Sequence, residues 1–258
     1  MSPVHLWINF FLERPLYEEG QLSALQALLY RHLPTWCSRL AAASDEDTDG
    51  IVVSSQTTLY QAVHEAAPPR KYGLADAVLT GSYDGLALFL DSSRKAFPPE
   101  SNGFSVEIVD VISIEGKTAS TWASEFFHDV PNSLPVRYGN ARCAEEFDVK
   151  NLDTTGGGAH AIGVNLQQSL PGLYWLNFFG KPYLTLIGRE RLLSAPAYKV
   201  ETIDDGVLVA LDSDPAAWRT PAYRNCEERT LDHLGRKYFF QRREPGAETI
   251  GADFLPAR

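Results

Sequence analysis

The chain has 258 residues, and its 33 acidic against 23 basic side chains give a formal net charge of -10. Its length suits one large domain or two small ones, and 44% hydrophobic with 22% charged residues excludes a disordered, collagen-like or coiled-coil chain. The charge is uneven, since residues 1–130 hold 17 acidic and 8 basic residues, whereas residues 131–258 hold 16 and 15. Because phosphate contacts supply much of the affinity for nucleic acid, this acidic chain is not expected to bind DNA or RNA directly.

Strands and helices both occur in the first half of the chain. β-Branched and aromatic residues predict a strand over residues 4–12, and leucines at helical spacing predict a helix over residues 16–40 that Pro34 should split. Asp84-Gly85 can supply the positive backbone φ of a hairpin turn. The other elements predicted in this half are a polar loop over 41–50, a short strand over 51–53, a helix over 57–66, hairpin strands over 78–80 and 86–90, an alternating strand over 104–114, a helix over 118–129, a loop from 131 to 135 and a helical turn over 141–147.

A glycine-rich segment, residues 151–158, forms the strongest break in the chain. The elements predicted after it are strands over 162–166 and 173–179, a helix over 182–193, hairpin strands over 198–203 and 207–211, a helix over 221–234 and a strand over 237–241. Because hairpins outnumber crossover units, the pattern favours an α+β fold with mainly antiparallel sheet and packed helices. We expect a single globular domain over 1–258, with residues 1–150 and 159–258 as two lobes around the glycine-rich segment.

The acidic segment over residues 45–50, Asp-Glu-Asp-Thr-Asp-Gly, matches the first half of a calcium-binding loop. The bidentate Glu that completes such a loop is replaced by Gln56, so we expect no metal site. The segment has two simpler interpretations, a solvated acidic turn or a set of carboxylates offered to a basic protein surface. A calcium-responsive binding module remains an alternative.

No local catalytic signature occurs in the sequence. It contains no G-x-S-x-G, H-E-x-x-H or C-x-x-C motif, and its glycine-rich segment lacks the Lys of a phosphate-binding loop. We therefore expect no catalytic residues, no cofactor and no enzyme activity. The alternative is a hydrolase whose Asp, Glu and His residues come together from distant strands.

The location of the protein is predicted from its termini and cysteines. The apolar N-terminal segment lacks a basic region and a small-residue cleavage site, and no apolar run approaches the roughly 18 residues of a membrane span. Cys37, Cys143 and Cys226 are few and far apart, which fits a reducing compartment. We expect a cytoplasmic protein that does not bind membranes.

The most distinctive segment is an aromatic and glycine-rich stretch over residues 171–196. It contains GLYWLNFFG from Gly172 to Gly180, followed by Ile187-Gly188. Together with the opening VHLWINFFL and the later DGVLVALDSDP, it resembles bacterial immunity proteins of polymorphic-toxin and type VI secretion systems, and in particular the immunity protein 52 family. The resemblance would span most of the chain. It implies a structural inhibitor encoded beside a toxin, with nuclease toxins of restriction-endonuclease fold as targets, and it assigns no catalytic or binding residues.

An acidic chain without a catalytic signature fits the neutralisation of a cytosol-acting nuclease. The active cleft of a nuclease is electropositive because it binds a polyanion, so an acidic surface can be steered into the cleft and cover it. We expect no cofactor or nucleic acid among the partners, only the cognate toxin. The residues predicted to contact the toxin are acids in turns: Asp45, Glu46, Asp47, Asp49, Asp84, Asp204 and Asp205.

Overall fold

The structure is a computed structural model, and it describes residues 5–44, 50–67, 69–70, 73–74, 77–82, 85–91, 102–111, 113–154, 158–166 and 168–242. The chain divides into two compact units, residues 1–136 and 137–258. The division lies between Val136 and Arg137, so the glycine-rich segment 151–158 belongs to the second unit instead of separating two lobes. A single domain over the whole chain remains a prediction.

The first unit is built on an antiparallel sheet in which the strands neighbour one another in the order β1, β8, β7, β6, β2, β3. Its elements are β1 (Leu6–Leu12), α1 (Glu19–His32), β2 (Ala41–Ser44), β3 (Ile51–Val52), α2 (Leu59–Ala66), β4 (Pro69–Arg70), β5 (Gly73–Leu74), β6 (Ala77–Thr80), β7 (Leu86–Asp91), β8 (Gly103–Ile108), β9 (Ser113–Ile114), β10 (Lys117–Thr118) and α3 (Ala119–Ser133). Alternate residues of β1 are buried, as the strand period of two requires when one face packs on a core. Phe10 of this face pairs with Phe104 of β8 and contacts Phe127 of α3.

The antiparallel α+β architecture and most elements of this unit are confirmed, with three corrections. Residues 41–44 form the strand β2 and not a loop, because a run of alanines carries no periodic signal. The strand predicted over 104–114 stops at Ile108, since Asp110 takes a positive φ of 55° and starts a turn. Helix α3 continues through Pro131 to Ser133 and does not end at Asp129. Pro131 lies in the last turn of α3 and has no N–H to donate to the carbonyl four residues earlier, so the helix ends soon after it, at Ser133.

The second unit has its own antiparallel run of strands in the order β11, β14, β16, β15. Its elements are β11 (Val136–Cys143, which starts at the division), α4 (Ala144–Asn151), β12 (Leu152–Asp153), β13 (His160–Ala161), β14 (Leu176–Phe179), α5 (Lys181–Tyr183), α6 (Arg189–Leu193), β15 (Lys199–Ile203), β16 (Gly206–Ala210) and α7 (Pro221–Leu234). Every residue of β14 and β16 is buried, so these strands form the centre of the unit. None of the helices in the described ranges is both long and apolar enough to cross a membrane.

Four predictions in this unit are wrong in detail. Residues 141–143 continue the strand β11 and are not helical, and 162–166 form no strand. Residues 237–241 are not a strand either, since Arg236–Tyr238 is a 3-10 turn and Phe239 makes only an isolated bridge to Leu170. The helix predicted over 182–193 consists of α5, a π-helical turn over Leu184–Gly188, and α6, because Gly188 has a φ of 102° that interrupts regular α-helix.

Candidate partner-binding surface

Only two of the predicted partner-binding acids lie in described residues. Asp204 and Asp205 form the turn between β15 and β16, and both are exposed. Asp45, Glu46, Asp47, Asp49 and Asp84 lie outside the described residues. The structure therefore places one acidic turn on the surface, and the role of all seven residues in binding remains a prediction.

The residue with positive φ in this turn is an aspartate and not the glycine. The positive φ of 48° belongs to Asp204, an acceptable residue for it because the short Asp side chain tolerates the left-handed region. Gly206 serves a different need, since a Cβ there would lie 2.2 Å from Cζ of Phe178. The glycine thus lets β16 pass beneath the Phe178 ring, and the turn is closed by the residue pair Ile203 and Gly206.

Helix α6 flanks the hairpin and fixes the position of the turn. Nη1 of Arg189, at the start of the helix, donates a hydrogen bond of 3.2 Å to the backbone carbonyl of Asp205. The carbonyl is the acceptor, so the carboxylates of Asp204 and Asp205 stay available to a partner. The chain then runs along α6 and returns through β15 to the same turn.

Two large apolar side chains are exposed where α6 ends and β15 is about to begin. Leu193 is 42% exposed and Tyr198 is 62% exposed. An exposed apolar residue is ordinary by itself. Two of them in one short connection, at the opposite end of β15 from the acidic turn, form together with that turn the composition of an interface anchor and a polar rim. We call Leu193, Tyr198, Lys199, Glu201, Asp204 and Asp205 the hairpin surface.

The charges of the hairpin surface are concentrated at its turn. Lys199 and Glu201 point to the same side of β15 and form an ion pair of 2.8 Å, so their charges offset each other. Asp204 and Asp205 are left as the negative end. Among the described strands, β15 pairs only with β16, so β15 is an edge strand of the sheet.

Sequence reasoning found the acidic turn and missed the two exposed apolar side chains. The Asp-Asp-Gly sequence between two apolar strands indicates an exposed turn, whereas exposure of Tyr198 depends on how α6 packs. The local sequence signal for the exposure of Tyr198 is its position two residues after Pro196 and directly before the charged Lys199.

Histidine–carboxylate pairs do occur among the described residues, as the hydrolase alternative requires. His32 Nε2 lies 2.9 Å from Asp129 Oδ2, and His5 Nε2 lies 2.9 Å from Glu107 Oε1. The first pair joins α1 to α3 and also packs His32 against Phe126. No group of three or more His, Cys, Asp and Glu in the described part of the chain is arranged to hold a metal ion.

The cysteines are buried thiols. Burial, together with nearby carboxylates such as Glu115 beside Cys37, raises the pKa of Cys37 and of Cys143 to about 12. Both thiols are therefore uncharged at neutral pH, whereas a cysteine nucleophile acts as the thiolate.

A buried polar cluster in the second unit was not predicted at all. Lys150 Nζ donates to Glu146 Oε1 at 2.7 Å, to Glu227 Oε1 at 2.6 Å and to the carbonyl of Leu173 at 2.8 Å. The hydroxyl of Tyr223 donates to the same Glu146 oxygen at 2.9 Å. Because Glu146 and Glu227 are on different helices, the cluster ties α4 to α7, and no local sequence pattern reveals such a contact.

Comparison with known proteins gives a likeness of fold. No protein-family model matches the sequence, and no curated protein matches it. A solved structure, the Pseudomonas aeruginosa T6SS protein PA0821, aligns with a TM-score of 0.50 over 98% of this chain and 79% of that chain, with 11% sequence identity. At this identity the likeness concerns the fold alone.

Proposed function

We propose that this protein binds and neutralises a secreted toxin of a type VI secretion system. The observation that carries the proposal is the likeness of fold, which extends over 98% of the chain, to a protein described as belonging to such a system. Neutralisation is supported by the resemblance of the GLYWLNFFG segment and its neighbours to immunity proteins. A cytosol-acting nuclease is the proposed target, because a chain with a net charge of -10 is attracted to a basic cleft.

The hairpin surface is the proposed contact with the toxin. Tyr198 and Leu193 offer apolar area that a partner can cover, and Tyr is among the residues that most often supply binding energy at the centre of an interface. Asp204 and Asp205 stand at the rim, where charges mainly accelerate the encounter with an oppositely charged partner. In this arrangement the protein inhibits by occluding the nucleic-acid-binding cleft.

Co-expression tests the proposal. Cells that make the toxin encoded beside this gene should survive when they also make this protein, and failure of the wild-type protein to rescue them would overturn neutralisation.

The paired change Asp204→Lys and Asp205→Lys should slow association with the toxin about tenfold at low salt and much less at high salt, because salt screens exposed charges. The matched control is Glu18→Lys with Glu65→Lys, which changes the net charge equally at exposed sites of the first unit. Equal association rates for both pairs would remove the hairpin surface from the interface.

A further inference from the structure

Arg142, the last but one residue of β11, is a half-buried cation with no ion pair among the described residues. Its guanidinium carbon lies 4.3 Å from the ring centre of Phe147 and 5.2 Å from that of Tyr174. These aromatic contacts hold the planar group in one orientation and partly compensate its charge. Burial nevertheless lowers the pKa of Arg142, against the opposing effect of Tyr174 and the nearby carboxylates, as it does for a cation without a close anion.

One edge of this guanidinium is hydrogen-bonded, and the other has no acceptor among the described residues. Nη1 donates to Oδ1 of Asn140 on the same side of β11. Nε is buried and has no hydrogen-bond partner among the described residues, and Nη2 donates to none of them either. The Nε–H and Nη2–H bonds of an arginine are parallel, which is the fork that a carboxylate or phosphate accepts with two oxygens.

The neighbouring carboxylates are committed elsewhere. Glu146 and Glu227 both accept from Lys150, and Glu146 also accepts from Tyr223. Asp148, the other acid that acts on Arg142, is exposed to solvent. The Lys150 ammonium is thus matched within its own cluster, whereas Arg142 keeps a donor pair without an acceptor.

We propose that the Nε and Nη2 edge of Arg142 is a binding site for a small oxyanion, a carboxylate or a phosphate group. Two oxygens of the anion accept the two parallel N–H bonds while Asn140 holds Nη1 and the rings of Phe147 and Tyr174 hold the plane. This site is independent of the toxin and of the hairpin surface, so it stands or falls separately from the proposed function.

Nuclear magnetic resonance of the arginine Nε–Hε groups of the whole wild-type chain tests the site. Sodium acetate, inorganic phosphate and sodium chloride are added to matched ionic strength. Arg219 is the internal control, because it stacks at 4.6 Å on Trp218 but is exposed. A saturating shift of the Arg142 signal with acetate alone indicates a carboxylate site, with phosphate alone a phosphate site, and with both a general oxyanion site. The proposal would be overturned if the Arg142 signal showed no saturating shift or shifted equally with chloride. It would also be overturned if the Arg219 signal shifted in parallel.

A variant gives a second measurement. A bound anion should raise the melting temperature of the wild-type protein, and the anion concentration at half of this rise measures the affinity. Arg142→Lys keeps the positive charge and removes the fork, so this concentration should increase about tenfold or more, as for the loss of a charge-assisted hydrogen bond. Arg219→Lys should leave that concentration unchanged. If the melting temperature of Arg142→Lys depends on anion concentration in the same way as that of the wild type, the anion does not bind a fork. If this variant does not fold, the resonance titration of the wild-type chain decides.

Discussion

Among single residues, Gly81 has the clearest packing requirement. A Cβ at this position would lie 2.3 Å from Cδ2 and Cε2 of the fully buried Trp36 indole. No unusual φ is involved, so space alone requires glycine. Gly81→Ala should lower the free energy of unfolding by about 1–3 kcal/mol, the usual cost of overpacking a core. Urea denaturation measures this loss.

Gly20 supplies the control for that measurement. It lies in the first turn of α1, and a Cβ there would meet no atom within 4 Å. Gly20→Ala should raise the free energy of unfolding by up to about 1 kcal/mol, because alanine is the better helix former. Equal effects of the two substitutions would contradict the packing of Gly81 against Trp36.

Glu146 is a single residue that makes the stability of the fold depend on pH. Its side chain has no exposed surface, and Oε2 has no hydrogen-bond partner among the described residues. Burial raises its pKa above the ordinary 4.5, assisted by Glu227 and opposed by Lys150 and Tyr223. Since the folded pKa exceeds the unfolded one, the stability contributed by this group is complete below the unfolded pKa and is lost as pH rises through the folded pKa.

Glu146→Gln removes this titration and keeps the shape of the side chain. The free energy of unfolding of the variant should therefore improve relative to wild type as pH increases from 4 to about 9. Denaturant titrations of both proteins across this pH range give the difference directly. A difference that is constant with pH, or that moves the other way, would show that burial does not dominate the pKa of Glu146.

At the scale of elements, the π-helical turn between α5 and α6 depends on Gly188. Its φ of 102° lies where side chains are strained, while the nearest atom to an added Cβ, Cβ of Arg191, is 3.9 Å away. Gly188→Ala should therefore cost about 1–2 kcal/mol through backbone strain without a clash. Thermal unfolding beside Gly20→Ala, where φ is ordinary, separates strain from the general effect of alanine. A melting temperature as high as that of Gly20→Ala would contradict a strained position.

The elements also show how far sequence predicts this fold. β1 is a run of aliphatic and aromatic residues typical of a strand, and α7 begins with Pro221 and ends before Gly235, so both follow from local patterns. β11 does not, because it contains the buried polar side chain of Asn140 and, next to its end, the half-buried Arg142. Their hydrogen bond and aromatic contacts form only after folding, and they conceal the apolar signal that a buried strand normally has.

The hairpin surface, like the fold, could be predicted from the sequence only in part. The turn at Asp204 and Asp205 was predicted from residue types that form hairpin turns. Exposure of Tyr198 depends on the tertiary arrangement around the start of β15, which local sequence does not encode. A prediction restricted to charge therefore identified the acidic turn and omitted the exposed apolar side chains.

For the whole molecule, charge and apolar area should control different steps of the proposed toxin binding. Net charge acts at long range and mainly changes the association rate, whereas contacts that form in the complex mainly change the dissociation rate. Tyr198→Ala removes most of a side chain that is 62% exposed without altering charge. Surface plasmon resonance should show dissociation at least about tenfold faster, with an association rate and salt dependence like wild type, since anchor residues contribute about 1–2 kcal/mol or more.

Tyr30 provides the matched control for Tyr198. It is the same residue type, 41% exposed, on α1 of the first unit and away from the hairpin surface in sequence. Tyr30→Ala should leave both rates unchanged. If Tyr198→Ala and Tyr30→Ala behave alike, the apolar anchor is not in the interface. A change of association rate alone in Tyr198→Ala would instead mean that the side chain acts before docking, and the division of labour between the rim and the centre of the hairpin surface would be wrong.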